Sequence, residues 1–157
     1  MTNKTPKNSK EGKGLIELMI RNEELFAKLY QKYSLLYESA REFWLHLAEE
    51  ERRHAEWLEV LLKSRDVFSV RLDLLPHESV RLIGDEVQDE IDSKIFVPLQ
   101  ESLVKSLRFE RSFFEKNYFD FITVESASVR RVIEDLKRET AEHIKNVEKE
   151  LNKLDIL

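Results

Sequence analysis

Glu51 and His54 are the residues of this chain best placed to do chemistry. They lie three apart in FWLHLAEEERRHAEWLEVLL, residues 43–62, on the helical face marked by Phe43, Leu47, Leu58 and Leu61. A carboxylate on an apolar face is costly to bury unless something pairs with it. The same periodicity puts Glu23, Glu110 and His143 on the apolar faces of three other segments. Left alone in a core, three carboxylates and two imidazoles would repel one another or stay protonated. One or two divalent metal ions would neutralise them and use their oxygens and nitrogens as ligands. The chemistry expected of Glu23, Glu51, His54, Glu110 and His143 is therefore metal binding.

Four long amphipathic helices have to position this set. The first is expected from about Leu15 to Tyr37. Leu15, Leu18, Met19, Phe26, Leu29, Tyr30, Tyr33 and Leu36 share one broad face there, and Glu23 falls inside it while Glu24 faces away. The second runs from about Ser39 to Lys63. A break follows around Ser64 to Glu78, then a short helix from about His77 to Ile91, with Gly84 as a weak point. The third is expected from about Ile95 to Ile122, with Pro98 in its first turn and Glu110 central among Phe96, Leu99, Leu103, Leu107, Phe114, Tyr118 and Phe121. The fourth runs from near Glu125 to near Leu154. Thr140 sits centrally in its stripe with His143 beside it, Glu139 lies at the edge, and Glu142 points away. Residues 1–14, MTNKTPKNSKEGKG, have no periodicity and are expected to form a flexible basic leader to a single domain over 15–157. Because the connection between the second and third long helices is long, an all-α, antiparallel four-helix bundle with one crossover is expected.

Composition removes whole classes of function. The 157 residues contain no cysteine, which excludes disulfides, zinc ribbons, thiolate iron–sulfur sites and cysteine nucleophiles. A net charge of −5 without a basic face argues against a nucleic-acid partner. No apolar run approaches the ~18 residues of a membrane span, and the N-terminus has no signal-peptide core, so a cytoplasmic protein with no membrane partner is expected. His46 and His77 have the pattern of ordinary, partly exposed histidines. Trp44, Trp57 and the run Phe113, Phe114, Tyr118, Phe119 and Phe121 fit a core or a dimer surface.

The chain resembles the rubrerythrin-like branch of the ferritin-like superfamily over about residues 15–154. The resemblance rests on Glu23 followed seven residues later by Tyr30 in NEELFAKLY, and on Glu51-Arg52-Arg53-His54 in LAEEERRHAEWL as a Glu-x-x-His. It rests also on Glu110 in SLRFERSFFE and on His143 in LKRETAEH. The resemblance implies a ferritin-like fold with a di-iron site in its core. Glu23 and Glu110 would then be terminal or bridging ligands, Glu51 a bridge, and His54 and His143 terminal ligands. Two departures stand out. A last Glu-x-x-His would need Glu at position 140, where the residue is Thr140; Glu139 is rotated by ~100° and would need a helix distortion to enter. The cysteine-bound iron module of many rubrerythrins is also missing.

The resemblance implies a non-haem iron protein, a ferroxidase or a peroxide-linked oxidoreductase, holding two iron ions or one, with manganese or zinc as other candidates. It also implies a homodimer and, for redox turnover, an external electron donor. The loss of one ligand at Thr140 leaves a second reading: a metal-free bundle that serves as a dimeric scaffold or interaction module.

Overall fold

A computed structural model describes residues 10–63, 68–70, 77–115, 122–124 and 126–155 of the chain. Among these the protein is all-helical apart from one short strand pair. Helix α1 spans Lys10–Leu36, and a 3-10 turn at Glu38–Ala40 leads into α2, Arg41–Lys63. Strand β1, Phe68–Val70, precedes α3, His77–Asp92; α4 spans Leu99–Glu115; strand β2, Ile122–Val124, precedes α5, Ala127–Asp155. The strands pair antiparallel, with Ser69 opposite Thr123.

Several boundaries differ from the expected ones. α1 starts at Lys10, so the last residues of the expected leader are helical; residues 1–9 lie outside the described set. The third long helix is shorter at both ends. Pro98 precedes it rather than sitting inside it: its carbonyl accepts the first helical bond, from the Ser102 N–H at 3.1 Å. Pro has no N–H to give, so the turn before it stays open. At the other end Ile122, expected as the helix terminus, belongs to β2, where β-branched Ile122, Thr123 and Val124 suit a strand. The side chains of Phe113, Phe114, Tyr118, Phe119 and Phe121 lie outside the described residues.

Helix α2 doubles back along α1, bringing Trp44 against Tyr30 and Tyr33 and His54 against Glu23. α5 runs antiparallel to α4 in the same way, with Glu110 near His143 and Gln100 near Asp155. Leu15, Met19, Phe26, Leu29, Leu47, Leu58, Leu103, Leu107, Ile133, Leu136 and Val147 fill the core between these helices. Each such side chain is worth about 1.5–3 kcal/mol in transfer from water.

α3 lies along α1 in the same direction, which returns the chain to the far end before α4 begins. Polar ties fix it there. Asn22 Nδ2 donates to the Val80 carbonyl at 2.9 Å, and Lys32 Nζ donates to the carbonyls of Glu90, Ile91 and Ser93 at 2.8, 3.0 and 2.8 Å, capping the end of α3. Gly84, a nominal weak point, lies against α1: a Cβ there would collide with Asn22 Oδ1. No helix among the described residues is long and apolar enough to cross a membrane.

Candidate metal centre

All five residues picked out by periodicity are buried and meet at one level of the helices. Glu23 comes from α1, Glu51 and His54 from α2, Glu110 from α4 and His143 from α5. Glu51 lies between the two histidines. Its Oε2 is 3.2 Å from His54 Nδ1, and its Oε1 is 2.9 Å from His143 Nδ1. Glu23 Oε2 approaches His54 Nδ1 at 3.6 Å, and Glu110 Oε1 approaches His143 Nδ1 at 3.8 Å. The imidazole rings stack with centroids 5.1 Å apart. The result is two half-sites, Glu23–Glu51–His54 and Glu51–Glu110–His143, that share the Glu51 carboxylate.

Helix periodicity explains why these residues meet. Glu51 and His54 are one turn apart on the inward face of α2, and His143 has the same position on α5. Tyr30, one turn below Phe26 on α1, donates its hydroxyl to Glu110 Oε1 at 2.5 Å and so holds that carboxylate in place. Thr140, where a second bridging Glu would stand, is buried, but its hydroxyl donates back to the Leu136 carbonyl of its own helix at 2.9 Å.

Two carboxylates that the sequence reading left on the rim also reach the site. Glu139 was expected to need a distorted helix. In an unbroken α5 its Oε2 lies 2.9 Å from His54 Nε2 and also accepts from Arg53 Nη2 at 2.9 Å. Glu50, which the apolar stripes do not single out, puts Oε2 at 2.9 Å from His143 Nε2. Each histidine thus turns Nδ1 to the centre and Nε2 to a carboxylate on the facing helix. A signal for this was available: Glu50 and Glu139 each stand four residues before a histidine, one turn away.

The charges are strongly coupled. Burial, reinforced by Glu51, pushes the Glu23 carboxyl well above the usual carboxylate range, and the same two causes push Glu110 up to about 8. Burial opposes ionised Glu51, but His143, Glu23 and His54 outweigh it and hold Glu51 well below that range. Burial also opposes charged histidines. Glu23 and Glu51 nevertheless hold His54 up to about 12, and Glu51, Glu50 and Glu110 hold His143 well above its ordinary value. Protons therefore supply the positive charge that the metal-free centre needs.

No family model matches the chain, and no curated protein or solved structure matches it. The case for a site rests on its own atoms. Glu51, His54 and His143 each offer a ligand atom within 4.8 Å of the others, and all three are buried. The residues also leave bonds unmade. His143 Nδ1 and Nε2, Glu51 Oε1 and Glu50 Oε2 are buried and lack a properly directed hydrogen bond, although their contacts are only 2.9 Å long. Buried polar atoms are normally satisfied. Donor atoms crowded together without mutual hydrogen bonds suit ligation of a shared cation, and carboxylate with imidazole suits iron, manganese or zinc.

Proposed function

We propose that this protein is a rubrerythrin-like, ferritin-like four-helix-bundle protein that binds iron at a two-ion centre and acts as a ferroxidase or a peroxide-linked oxidoreductase. The observation that carries this reading is the buried convergence of Glu51, His54 and His143, flanked by the carboxylates of Glu23 and Glu110. His54 and Glu23 would hold one ion, His143 and Glu110 the other, and Glu51 would span both. Bound iron would supply one-electron redox chemistry toward dioxygen or peroxide. Glu139 holds the His54 ring by a hydrogen bond to its Nε2, and Glu50 stands beside the Nε2 of His143 as its counter-charge, so both Nδ1 atoms face inward. Tyr30 orients Glu110. Phe26, Leu47, Leu58 and Leu136 are buried in the same core.

A homodimer, an external electron donor and a cytoplasmic location belong to the same reading. Sedimentation of the purified chain tests the homodimer.

The direct test is anaerobic titration with ferrous ion, followed by elemental analysis after desalting. Two tightly held ions per chain are expected in the wild type and none in Glu51→Ala. Adding peroxide or dioxygen should then give ferric absorption. If the wild type retains no ion and Glu51→Ala behaves identically, the reading fails. Thr140 favours a second reading, a metal-free dimeric scaffold, because its hydroxyl is spent on Leu136 and offers no bridge. A melting temperature unchanged by chelator and by added metal would favour the scaffold.

A further inference from the structure

The site is not the only unusual feature of the core. A continuous row of oxidisable rings leads from it to one end of the molecule. Tyr30, bonded to Glu110, stacks on Trp44 with centroids 5.5 Å apart and planes 29° apart. Trp44 lies 4.9 Å from Tyr33, and Tyr33 lies 5.7 Å from Tyr37. Tyr37 packs at 5.9 Å against Phe96, which is 68% exposed. Tyr30, Tyr33, Tyr37 and Trp44 are all buried. Packing alone asks only for apolar bulk at these positions, which Leu or Phe would supply without a hydroxyl or N–H to satisfy.

The polar groups along the row are placed unequally. Tyr30 and Tyr33 each donate to a carboxylate, Glu110 Oε1 at 2.5 Å and Glu90 Oε1 at 3.0 Å. Trp44 Nε1 is buried with no hydrogen-bond partner. A tyrosine bonded to a carboxylate can release its phenolic proton as it loses an electron and take it back when refilled. Oxidised Trp44 has no acceptor for its N–H proton, so it would keep that proton and remain a strong oxidant toward the next tyrosine.

We propose that Tyr37, Tyr33, Trp44 and Tyr30 form an electron relay between the surface beneath Phe96 and the centre held by Glu110. The relay rests on the reading of that centre as redox-active. In each transfer Tyr30 gives one electron to the centre while its phenolic proton stays within the 2.5 Å bond it shares with Glu110. Tyr30 is refilled by one electron from Trp44. Trp44 is refilled from Tyr33, whose proton moves to Glu90 and back, and Tyr33 is refilled by an external one-electron donor across the Tyr37 ring, which is not itself oxidised because its hydroxyl is held by the Val97 carbonyl at 2.6 Å. The net change is one electron moved inward, with every ring restored.

The test needs no metal, so its failure is separate from failure of the metal-site reading. The chain has no cysteine, so Ile95→Cys, at a position 78% exposed, gives a single attachment point for a ruthenium polypyridyl photosensitiser beside Phe96. Flash oxidation of the label, read by transient absorption and by electron paramagnetic resonance, should produce a tyrosyl spectrum with a Tyr30 component, identified as the part lost in Tyr30→Phe while any Tyr33 contribution stays. Trp44→Phe should lower the Tyr30 signal at least tenfold. Tyr33→Phe, which keeps the ring and removes only the hydroxyl, should do the same and guards against a folding defect at Trp44. Phe43→Leu, beside Trp44 but outside the row, should leave the yield unchanged. A Tyr30 signal of undiminished yield in both Trp44→Phe and Tyr33→Phe, or no Tyr30 signal in the labelled parent, would overturn the relay.

Discussion

The two histidine arms of the centre both begin with a glutamate and end with a histidine, but differ at the inward position between them. On α2 the chain reads Glu50-Glu51-Arg52-Arg53-His54, and on α5 it reads Glu139-Thr140-Ala141-Glu142-His143. Each outer glutamate reaches across to the Nε2 of the opposite histidine, at 2.9 Å in both directions. Each histidine faces the centre with Nδ1. The arms part where Glu51 sends one oxygen to each histidine while Thr140 turns back to Leu136. The comparison separates two jobs that a Glu-x-x-His usually does together. Orientation of the rings is kept on both sides. Negative charge at the middle comes from one side alone, so the shared charge of the centre depends on a single carboxylate.

The most severe way to break the comparison is therefore Glu51→Gln. It should abolish retention of both ions, a loss of more than about a thousandfold in affinity, because both half-sites share that group. The metal-free protein should also lose about 3–5 kcal/mol, since two buried histidines would lose their common counter-charge. Isothermal titration and urea unfolding measure the two effects. Loss of only one ion would show that the half-sites do not share Glu51.

Thr140→Glu asks the opposite question. Adding the missing carboxylate should tighten the weaker ion by about tenfold to a hundredfold, while the metal-free protein loses about 1–3 kcal/mol through another buried acid. Cobalt titration followed by d–d absorption reads the first, and thermal melting reads the second. A tighter metal-free fold with no gain in metal affinity would mean that position 140 does not face the ions.

The contrast between the arms also shows what the sequence could reveal. Glu23, Glu51, His54, Glu110 and His143 were legible because each breaks an apolar stripe, and a stripe fixes the direction of every Cβ on it. Their burial in the structure follows from that periodicity. Glu50 and Glu139 were not legible in the same way. Their Cβ atoms sit at the rim, and only the length of a glutamate side chain carries the carboxylate inward to a partner on another helix. Periodicity speaks of Cβ direction and is silent about reach. The ends of the third long helix failed for a different reason. Its apolar spacing continues to Ile122, but Ile122 to Val124 pairs with Phe68 to Val70, far away in sequence, and tertiary pairing overrides local pattern.

The charge states give a third way to sharpen the comparison. Glu110 has its pKa raised to about 8 in the fold, so the stability it contributes as a neutral acid is fully present below the ordinary carboxylate range and is lost as pH rises through about 8. His54, raised to about 12, acts in the same direction, with stability present below its ordinary value and declining as pH rises from there. The metal-free protein should therefore melt at lower temperature at pH 9 than at pH 6. Metal binding displaces those protons, so affinity should rise with pH, by up to about tenfold per unit for each proton released. The gap between loaded and metal-free melting temperatures should widen from pH 6 to pH 9. A constant gap would mean that no proton leaves on binding.

The mildest expected effect lies at the outer glutamates, where the arms look most alike. Glu50→Gln and Glu139→Gln keep the shape and remove the charge behind one histidine each. Loss of such a partner costs a metal ligand about tenfold in affinity at the lower end of the usual range. The effects should fall on different ions: Glu139→Gln on the one held by His54, Glu50→Gln on the one held by His143. They should also differ in size. Glu139 is shared with the Arg53 guanidinium at 2.9 Å, which draws its charge away from His54, whereas Glu50 lies 3.8 Å from Arg53. Glu50→Gln should then weaken its ion more than Glu139→Gln weakens the other. Arg53→Met should narrow that difference by freeing Glu139 for His54. Two-phase cobalt titrations of the three variants resolve the ions separately. Equal losses in both glutamine variants, unmoved by Arg53→Met, would show that the guanidinium does not divide Glu139 between two partners.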